Sequence, residues 1–334
     1  MKLFVAYPYK NNNGNEFLTE KAKAYINERF DVVYSEEERN LTGDEIAERA
    51  KDCDAIITGW AQSEITYDMI KDTKIKTIAH LGGSVGALVG DGLYENGIRI
   101  LSGNEIYAES VAEGTIAYML SGLRRIPTYI DTVRNGGWHG DRFFTEGLLD
   151  QTVGIISLGA ISRYLISMLH TFRAKIKIYS NHKIDDEYLK ANNATQVSLE
   201  EIFSTCKIVS LHSASTPQTK GMIGKEHFDM LSDGALFINT ARGPIVREEE
   251  MIEALKENRF SAVLDVYCSE PLAQDSPLRT LPNVYSVPHM GGPTLDRREY
   301  VTMRLADNIL KLERGENAEL LISEGTAKRM TAQP

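Results

Sequence analysis

Short β-branched apolar runs alternate with amphipathic stretches through the first hundred residues. Runs at 3–6, 31–34, 55–58, 77–80 and 98–101 read as strands, and 17–28, 44–51 and 67–72 carry apolar residues at helical spacing behind acid-rich starts. Regular alternation of this kind predicts a parallel α/β sheet. A long helical pattern from 107 to 134 follows and ends at Asn135-Gly136-Gly137, before a second alternating series begins near Thr152. Its strands fall at 153–157, 175–179, 208–212, 235–239, 262–266 and 284–287. Six strands with intervening helices describe a doubly wound nucleotide-binding sheet. One more long helix follows, with Val301, Leu305, Ile309 and Leu312 on one face.

At 334 residues the chain exceeds the usual size of one core, so two domains are expected. Hydrophobic residues at 42% and charged residues at 25% are ordinary for a globular protein and leave no compositional case for disorder. The formal net charge of -10 argues against nucleic acid or an anionic membrane as the main partner. A small anionic substrate would then need a local cation. Cys53, Cys206 and Cys268 are far apart and form no Cys-x-x-Cys, which fits a reducing cytoplasm better than a disulfide scaffold. The apolar start is too short for a signal peptide, and no stretch approaches the roughly 20 residues of a membrane span. None of the seven histidines stands in a metal-ligand pattern, so no metal is expected.

Candidate chemistry concentrates at predicted strand ends. The chain reads Asn239-Thr240-Ala241-Arg242-Gly243, then Asp265-Val266, Glu270-Pro271 and Pro288-His289-Met290-Gly291-Gly292. Arginine is permanently charged, and its planar fork suits a carboxylate beside a carbonyl. A histidine steadied by an acid passes a proton near neutral pH. Arg242, Glu270 and His289 are therefore the catalytic candidates. Earlier, Ser157-Leu158-Gly159-Ala160-Ile161-Ser162 sits where a strand turns into a helix, and a dinucleotide fingerprint there would read Gly-x-Gly-x-x-Gly. Gly159, the glycine that lets backbone approach a pyrophosphate, is kept, with Ala160 and Ile161 beside it. Ser157 and Ser162 replace the other two, and Ser157 is awkward if its turn demands a positive backbone angle.

No acid ends the following strand, where one would bind a ribose 2'-hydroxyl. Ser180 and Asn181 stand there, with His182 and Lys183 next, which points toward NADP over NAD, although Asp185 and Asp186 follow closely. In the first domain, Leu81-Gly82-Gly83-Ser84-Val85-Gly86 ends a strand in a glycine-rich turn whose backbone N–H groups suit a carboxylate.

The segment from about 152 to 294 resembles the D-isomer-specific 2-hydroxyacid dehydrogenase family, in which an Asn-x-x-Arg-Gly arginine, an Asp-Val-x-x-x-Glu-Pro acid pair and a Pro-His-x-Gly histidine occur in this order. The resemblance implies two Rossmann-like or flavodoxin-like domains, with cofactor and active site in the cleft between them. It also implies a discontinuous substrate domain, residues 1–103 plus 291–334, around a dinucleotide domain at 104–290. Gly83, Ser84, Val85 and Tyr107 would bind substrate, although Gly86 replaces an acid that often follows. Thr115, Ser213, Thr219, Thr240 and Asp265 would face the cofactor, Asp265 at the nicotinamide carboxamide. The loop at 213–219 departs from the family's Pro-Leu-Thr by showing Ala214 and Ser215. The implied activity is reversible hydride transfer between NAD(P)H and the C2 carbonyl of a 2-oxo acid, with D products and a homodimer built on the 107–134 helix. A cofactor-binding redox sensor of the same fold is the alternative.

Overall fold

The computed structural model describes residues 1–8, 16–139 and 145–330. The chain forms two compact units, Met1–Tyr107 with Pro293–Pro334, and Ala108–Gly292. The first unit carries a five-stranded parallel sheet of β1 (Lys2–Val5), β2 (Asp31–Tyr34), β3 (Ala55–Thr58), β4 (Thr77–His80) and β5 (Arg99–Ser102), in the order β2-β1-β3-β4-β5. Every residue of β3 and β4 is buried. Burial on both faces is why these strands read as continuous apolar runs and not as alternating ones. Helix Leu295–Glu313 packs Val301, Leu305 and Ile309 into the same core as Leu3, Val5 and Ile57.

The second unit holds β6 (Thr152–Ile156), β7 (Lys175–Tyr179), β8 (Ala194–Gln196), β9 (Ile208–Leu211), β10 (Leu236–Asn239), β11 (Ser261–Leu264) and β12 (Val284–Ser286). Their order is β12-β11-β10-β9-β6-β7-β8, all pairs parallel. Strand order reverses between β6 and β9, which opens a crevice at their carboxyl ends, the place where such sheets bind ligands. The sheet has seven strands where the sequence pattern gave six. The extra strand, β8, is a three-residue edge whose Ala-Thr-Gln is at most half-buried, so no apolar run marks it.

The helix expected over 107–134 is two helices, Asn104–Leu123 and Ile126–Arg134. Pro127 removes an amide and disfavours helical geometry before it, and Arg125 turns left-handed with φ 51°. No helix among the described residues is long and apolar enough to cross a membrane.

Each unit buries a neutral histidine at a strand's carboxyl end. His80 Nδ1 lies 3.0 Å from Thr58 Oγ1, and His212 Nε2 lies 2.8 Å from Ser210 Oγ. Desolvation pushes both imidazoles down to about 4. An unfolded histidine titrates near 6.5, so between these values the unfolded chain takes up protons that the folded chain refuses. Stability is therefore full above about pH 6.5 and falls as pH drops toward 4, by up to about 3 kcal/mol per histidine. The urea midpoint is expected to be lower at pH 5 than at pH 7.5, and to fall less in a His80→Asn/His212→Asn protein; equal falls in both would contradict the assignment.

Candidate active site

Three turns of the second unit, each following a strand at the same sheet edge, carry the candidate catalytic groups. The first follows β10. Asn239 braces it with its own side chain, its Oδ1 accepting the Ala241 amide at 3.0 Å and its Nδ2 donating to the Arg242 carbonyl at 3.4 Å. Gly243 is required because a Cβ there would sit 1.9 Å from the Tyr267 carbonyl carbon and 2.4 Å from the Cys268 amide. The Arg-Gly step thus locks the arginine turn against the loop that carries Glu270. Arg242 Nη1 donates to the Ala241 carbonyl at 2.7 Å, while its Nε is buried with no hydrogen-bond partner. Burial lowers the guanidinium pKa, and the charges of Glu270 and Asp265 oppose that shift. A buried donor on a permanently charged fork is what an anionic ligand would satisfy.

The second and third turns meet at the acid and the histidine. Glu270 Oε1 accepts the Tyr267 amide at 3.0 Å, and Glu270 Oε2 lies 2.6 Å from His289 Nδ1. The Tyr267 hydroxyl ties this loop to the next strand's end by reaching the Leu264 and Val287 carbonyls, both at 2.9 Å. His289 has φ 49°, a left-handed conformation uncommon for histidine. Asp265 holds the backbone just beyond it: Oδ1 accepts the Met290 amide at 2.8 Å and Oδ2 the Gly291 amide at 2.9 Å. A Cβ on Gly291 would stand 2.6 Å from Asp265 Oδ2, so glycine permits the clamp. Tyr118, which the sequence did not mark, donates to Asp265 Oδ1 at 3.2 Å.

The crevice residues fit a dinucleotide. Helix Ala160–Leu169 begins at Gly159 with no side-chain cap, and a Cβ on Gly159 would meet nothing within 4 Å. That leaves the first-turn amides, among them those of Ala160 and Ile161, without a side-chain cap at a helix start with free space beside Gly159, the arrangement that receives a pyrophosphate. Ser157 does adopt a positive φ, 80°, and the two serine departures are linked: Ser162 Oγ donates to the Ser157 carbonyl at 2.7 Å. The hydroxyl helps to hold the turn in a conformation where serine is strained. Ser157→Gly is expected to stabilise the unit by about 0.5 to 1 kcal/mol, and Ser162→Ala to destabilise it by about 1 kcal/mol. Differential scanning calorimetry checks both signs, and three coincident transitions would refute the linkage.

After β7, Asn181 Oδ1 accepts from the Tyr179 hydroxyl at 2.6 Å, and the Ser180 carbonyl accepts from Gln196 at 3.3 Å. Neither nearby acid reaches back to this strand end. Asp185 caps the helix Asp186–Ala191 through the Glu187 and Tyr188 amides, and Asp186 pairs with Lys183 at 3.2 Å. In the loop after β9, Thr219 Oγ1 donates to Ala214 O at 2.6 Å and accepts the Thr216 amide at 2.9 Å, so this hydroxyl braces its own loop. Ser213 is buried beside it in sequence. Thr115 Oγ1 donates to the Val111 carbonyl at 2.7 Å and lies 3.4 Å from Thr240 Oγ1, which in turn lies 3.5 Å from His212 Nδ1. His212 is a second residue that sequence reading passed over; its only signal was its place at a strand end.

In the first unit the glycine turn follows β4. Ser102 Oγ donates to the Gly82 and Gly83 carbonyls at 3.0 and 2.6 Å, fixing the turn from the next strand. Ser84 Oγ accepts the Gly86 amide at 3.3 Å. The Val85 amide points to Met330 Sδ at 3.5 Å, so a carboxylate would have to displace the thioether to use it. Tyr107 packs its ring against Gly83, and its hydroxyl is buried without a partner of ordinary hydrogen-bond geometry. Burial raises that phenol's pKa, with the Trp60 indole opposing.

Residues 116–291 match the family model described as D-isomer specific 2-hydroxyacid dehydrogenase, NAD binding domain. The chain is 32% identical over 291 residues to D-3-phosphoglycerate dehydrogenase of Methanocaldococcus jannaschii, an alignment covering 85% of this chain and 54% of that one. It therefore spans about half the length of that relative. It is 30% identical over 246 residues to human glyoxylate reductase/hydroxypyruvate reductase, covering 72% of this chain and 75% of the human protein. Its fold matches the crystal structure of a phosphoglycerate oxidoreductase from Rhizobium etli with a TM-score of 0.80 at 20% identity, over 97% of this chain and 99% of that one.

Proposed function

The chain belongs to the D-isomer specific 2-hydroxyacid dehydrogenase family, and from that premise we propose that it interconverts a 2-oxo acid and the D-2-hydroxy acid with a nicotinamide cofactor. The observation that carries this reading is the partly buried Arg242 fork, whose buried Nε is unsatisfied, in the same unit as the His289–Glu270 pair. When bound, the nicotinamide supplies or accepts the hydride at C2. Arg242 binds the carboxylate and polarises the carbonyl, so that negative charge forming on the oxygen meets a fixed cation. His289 gives that oxygen a proton during reduction and takes it back during oxidation. Glu270 holds Nδ1, which leaves Nε2 for the substrate. Gly83, Ser84 and Val85 are assigned to the substrate carboxylate.

NADP is the cofactor we favour. Asp185 and Asp186 are engaged in a helix cap and an ion pair, which leaves the neutral Ser180 and Asn181 at the strand end for a 2'-phosphate. A homodimer is supported by helix Ile126–Arg134, which buries none of its residues and exposes Ile126, Ile130 and Val133 at helical spacing. Sedimentation equilibrium tests that assembly. A cytoplasmic setting is proposed from the free cysteines. The redox-sensor reading is not favoured, because the relatives bear the names of enzymes.

The direct test is initial-rate oxidation of NADH and NADPH, in parallel, with a panel of 2-oxo acids. Turnover of at least one acid, faster with NADPH, is expected. No oxidation of either cofactor by any acid overturns the catalytic reading, and a preference for NADH overturns the cofactor assignment alone.

A further inference from the structure

The glycine turn after β4 is bordered by aromatic rings from within its own unit. A Cβ on Gly82 would sit 2.5 Å from His80 Nε2 and 3.2 Å from Trp60 Cδ1, and one on Gly83 would sit 3.5 Å from the Tyr107 ring. The His80 imidazole and the edge of the Trp60 indole thus border one glycine and the phenol ring the next. The two rings meet edge to face, centroids 6.4 Å apart at 89°. Phe17 extends this wall, edge-on to Trp60 at 4.9 Å, and Tyr7 meets Phe17 at 6.0 Å. Trp60 remains 38% exposed, so its ring is a surface still available to a ligand.

The cation at the wall is already engaged. The Arg298 guanidinium lies 5.6 Å from the Trp60 centroid and 6.0 Å from that of Phe17. It is paired with Glu16, and its Nε donates to the Pro293 carbonyl at 3.2 Å. A phosphate or carboxylate arriving here would compete with the Glu16 carboxylate for the same fork. A planar apolar group meets no such competitor, and ring pairs of this geometry are favourable beyond the area they bury.

We infer that Trp60 and Tyr107 receive the substrate's side chain, and that the preferred acids carry an aromatic ring on C3, unlike glyoxylate or a phosphorylated acid. This rests on the proposed activity, since the turn is taken to hold the substrate's carboxylate. Trp60 is a specificity-determining residue in this account. It touches the variable part of the acid and leaves the reacting carbon to other groups.

Trp60 and Trp138 are the only tryptophans in the chain, so in a Trp138→Phe protein the indole emission reports Trp60 alone. Titration with D-3-phenyllactate, D-lactate and D-3-phosphoglycerate, with cofactor present, measures binding without requiring turnover. D-3-phenyllactate is expected to quench the emission saturably with a Kd at least tenfold below the other two. In parallel, kcat/KM for phenylpyruvate should exceed that for glyoxylate at least tenfold. Trp60→Ala should bring the two near parity chiefly by slowing phenylpyruvate, while Trp60→Phe, which keeps a ring, retains most of the preference. Equal or weaker binding of D-3-phenyllactate, or a preference for glyoxylate or a phosphorylated acid that Trp60→Ala leaves unchanged, overturns the inference. Saturable, selective quenching without turnover of any acid supports the wall and defeats the catalytic proposal; turnover without side-chain selectivity does the reverse.

Discussion

Arg242→Ala is expected to lower kcat/KM for the best 2-oxo acid by about 10³-fold or more, with kcat falling and KM rising together. The double effect follows from the two roles assigned to one group. A carboxylate contact is made in ground and transition states alike and appears mainly in KM, whereas polarisation of the carbonyl strengthens as charge moves onto the oxygen and appears in kcat. The structure makes the loss hard to compensate. The guanidinium is partly buried, its Nε has no partner, and Asn239 fixes the turn from which it projects. Burial and the charges of Glu270 and Asp265 pull its pKa in opposite directions, yet arginine starts so high that it stays charged at any working pH.

Lysine at 242 would retain the charge and lose the planar fork, so Arg242→Lys should recover only a small part of the activity. Added guanidinium chloride at millimolar concentration should partly restore Arg242→Ala by occupying the vacated site. Steady-state kinetics on the three proteins decides the matter. An alanine variant within tenfold of the parent would remove Arg242 from the mechanism.

Much of this architecture was legible because fully buried parallel strands write themselves as apolar runs. Thr77-Ile78-Ala79-His80 and Leu236-Phe237-Ile238-Asn239 are buried at every position, and each ends where a candidate group begins. The edge strand Ala194–Gln196 left no such run, being held by ladder bonds to β7 more than by burial. Pro127 carried a visible warning against one continuous helix, and the apolar spacing on either side concealed it.

The catalytic candidates were legible as an ordered set of residue types, whereas what holds them was not. Tyr118 and Asp265 are 147 positions apart, and nothing in either neighbourhood announces the contact. Asp265 itself was read as a group for the cofactor alone, and its carboxylate also clamps the Met290 and Gly291 amides. Trp60 gave no signal, because a lone tryptophan after a glycine has no partner in sequence to reveal the rings around it. The bond from Ser162 to Ser157 shows the same limit: each serine looked like damage to a fingerprint until the turn brought them together.

His289→Ala is the second large effect, an expected fall in kcat of about 10²- to 10⁴-fold in both reaction directions. A single proton donor that becomes the acceptor in reverse must slow both, which separates this role from mere substrate binding. Imidazole in the assay should return part of the lost rate, since the ring is half-exposed and its absence leaves an opening beside Glu270. Glu270→Gln probes how the ring is held. The carboxylate 2.6 Å from Nδ1 dictates that the proton on that side stays there, and the neutral amide can present either a donor or an acceptor to the ring. A fraction of the histidines would then carry the wrong tautomer. The expected result is a fall in kcat of about 10- to 100-fold with KM little changed. Tyr118→Phe acts one step further out, freeing one bond on the Asp265 clamp, and should cost less than Glu270→Gln. Full activity in Glu270→Gln would mean that the left-handed turn at His289 and the Asp265 clamp orient the ring unaided, and the acid–histidine pair would lose its place in the mechanism.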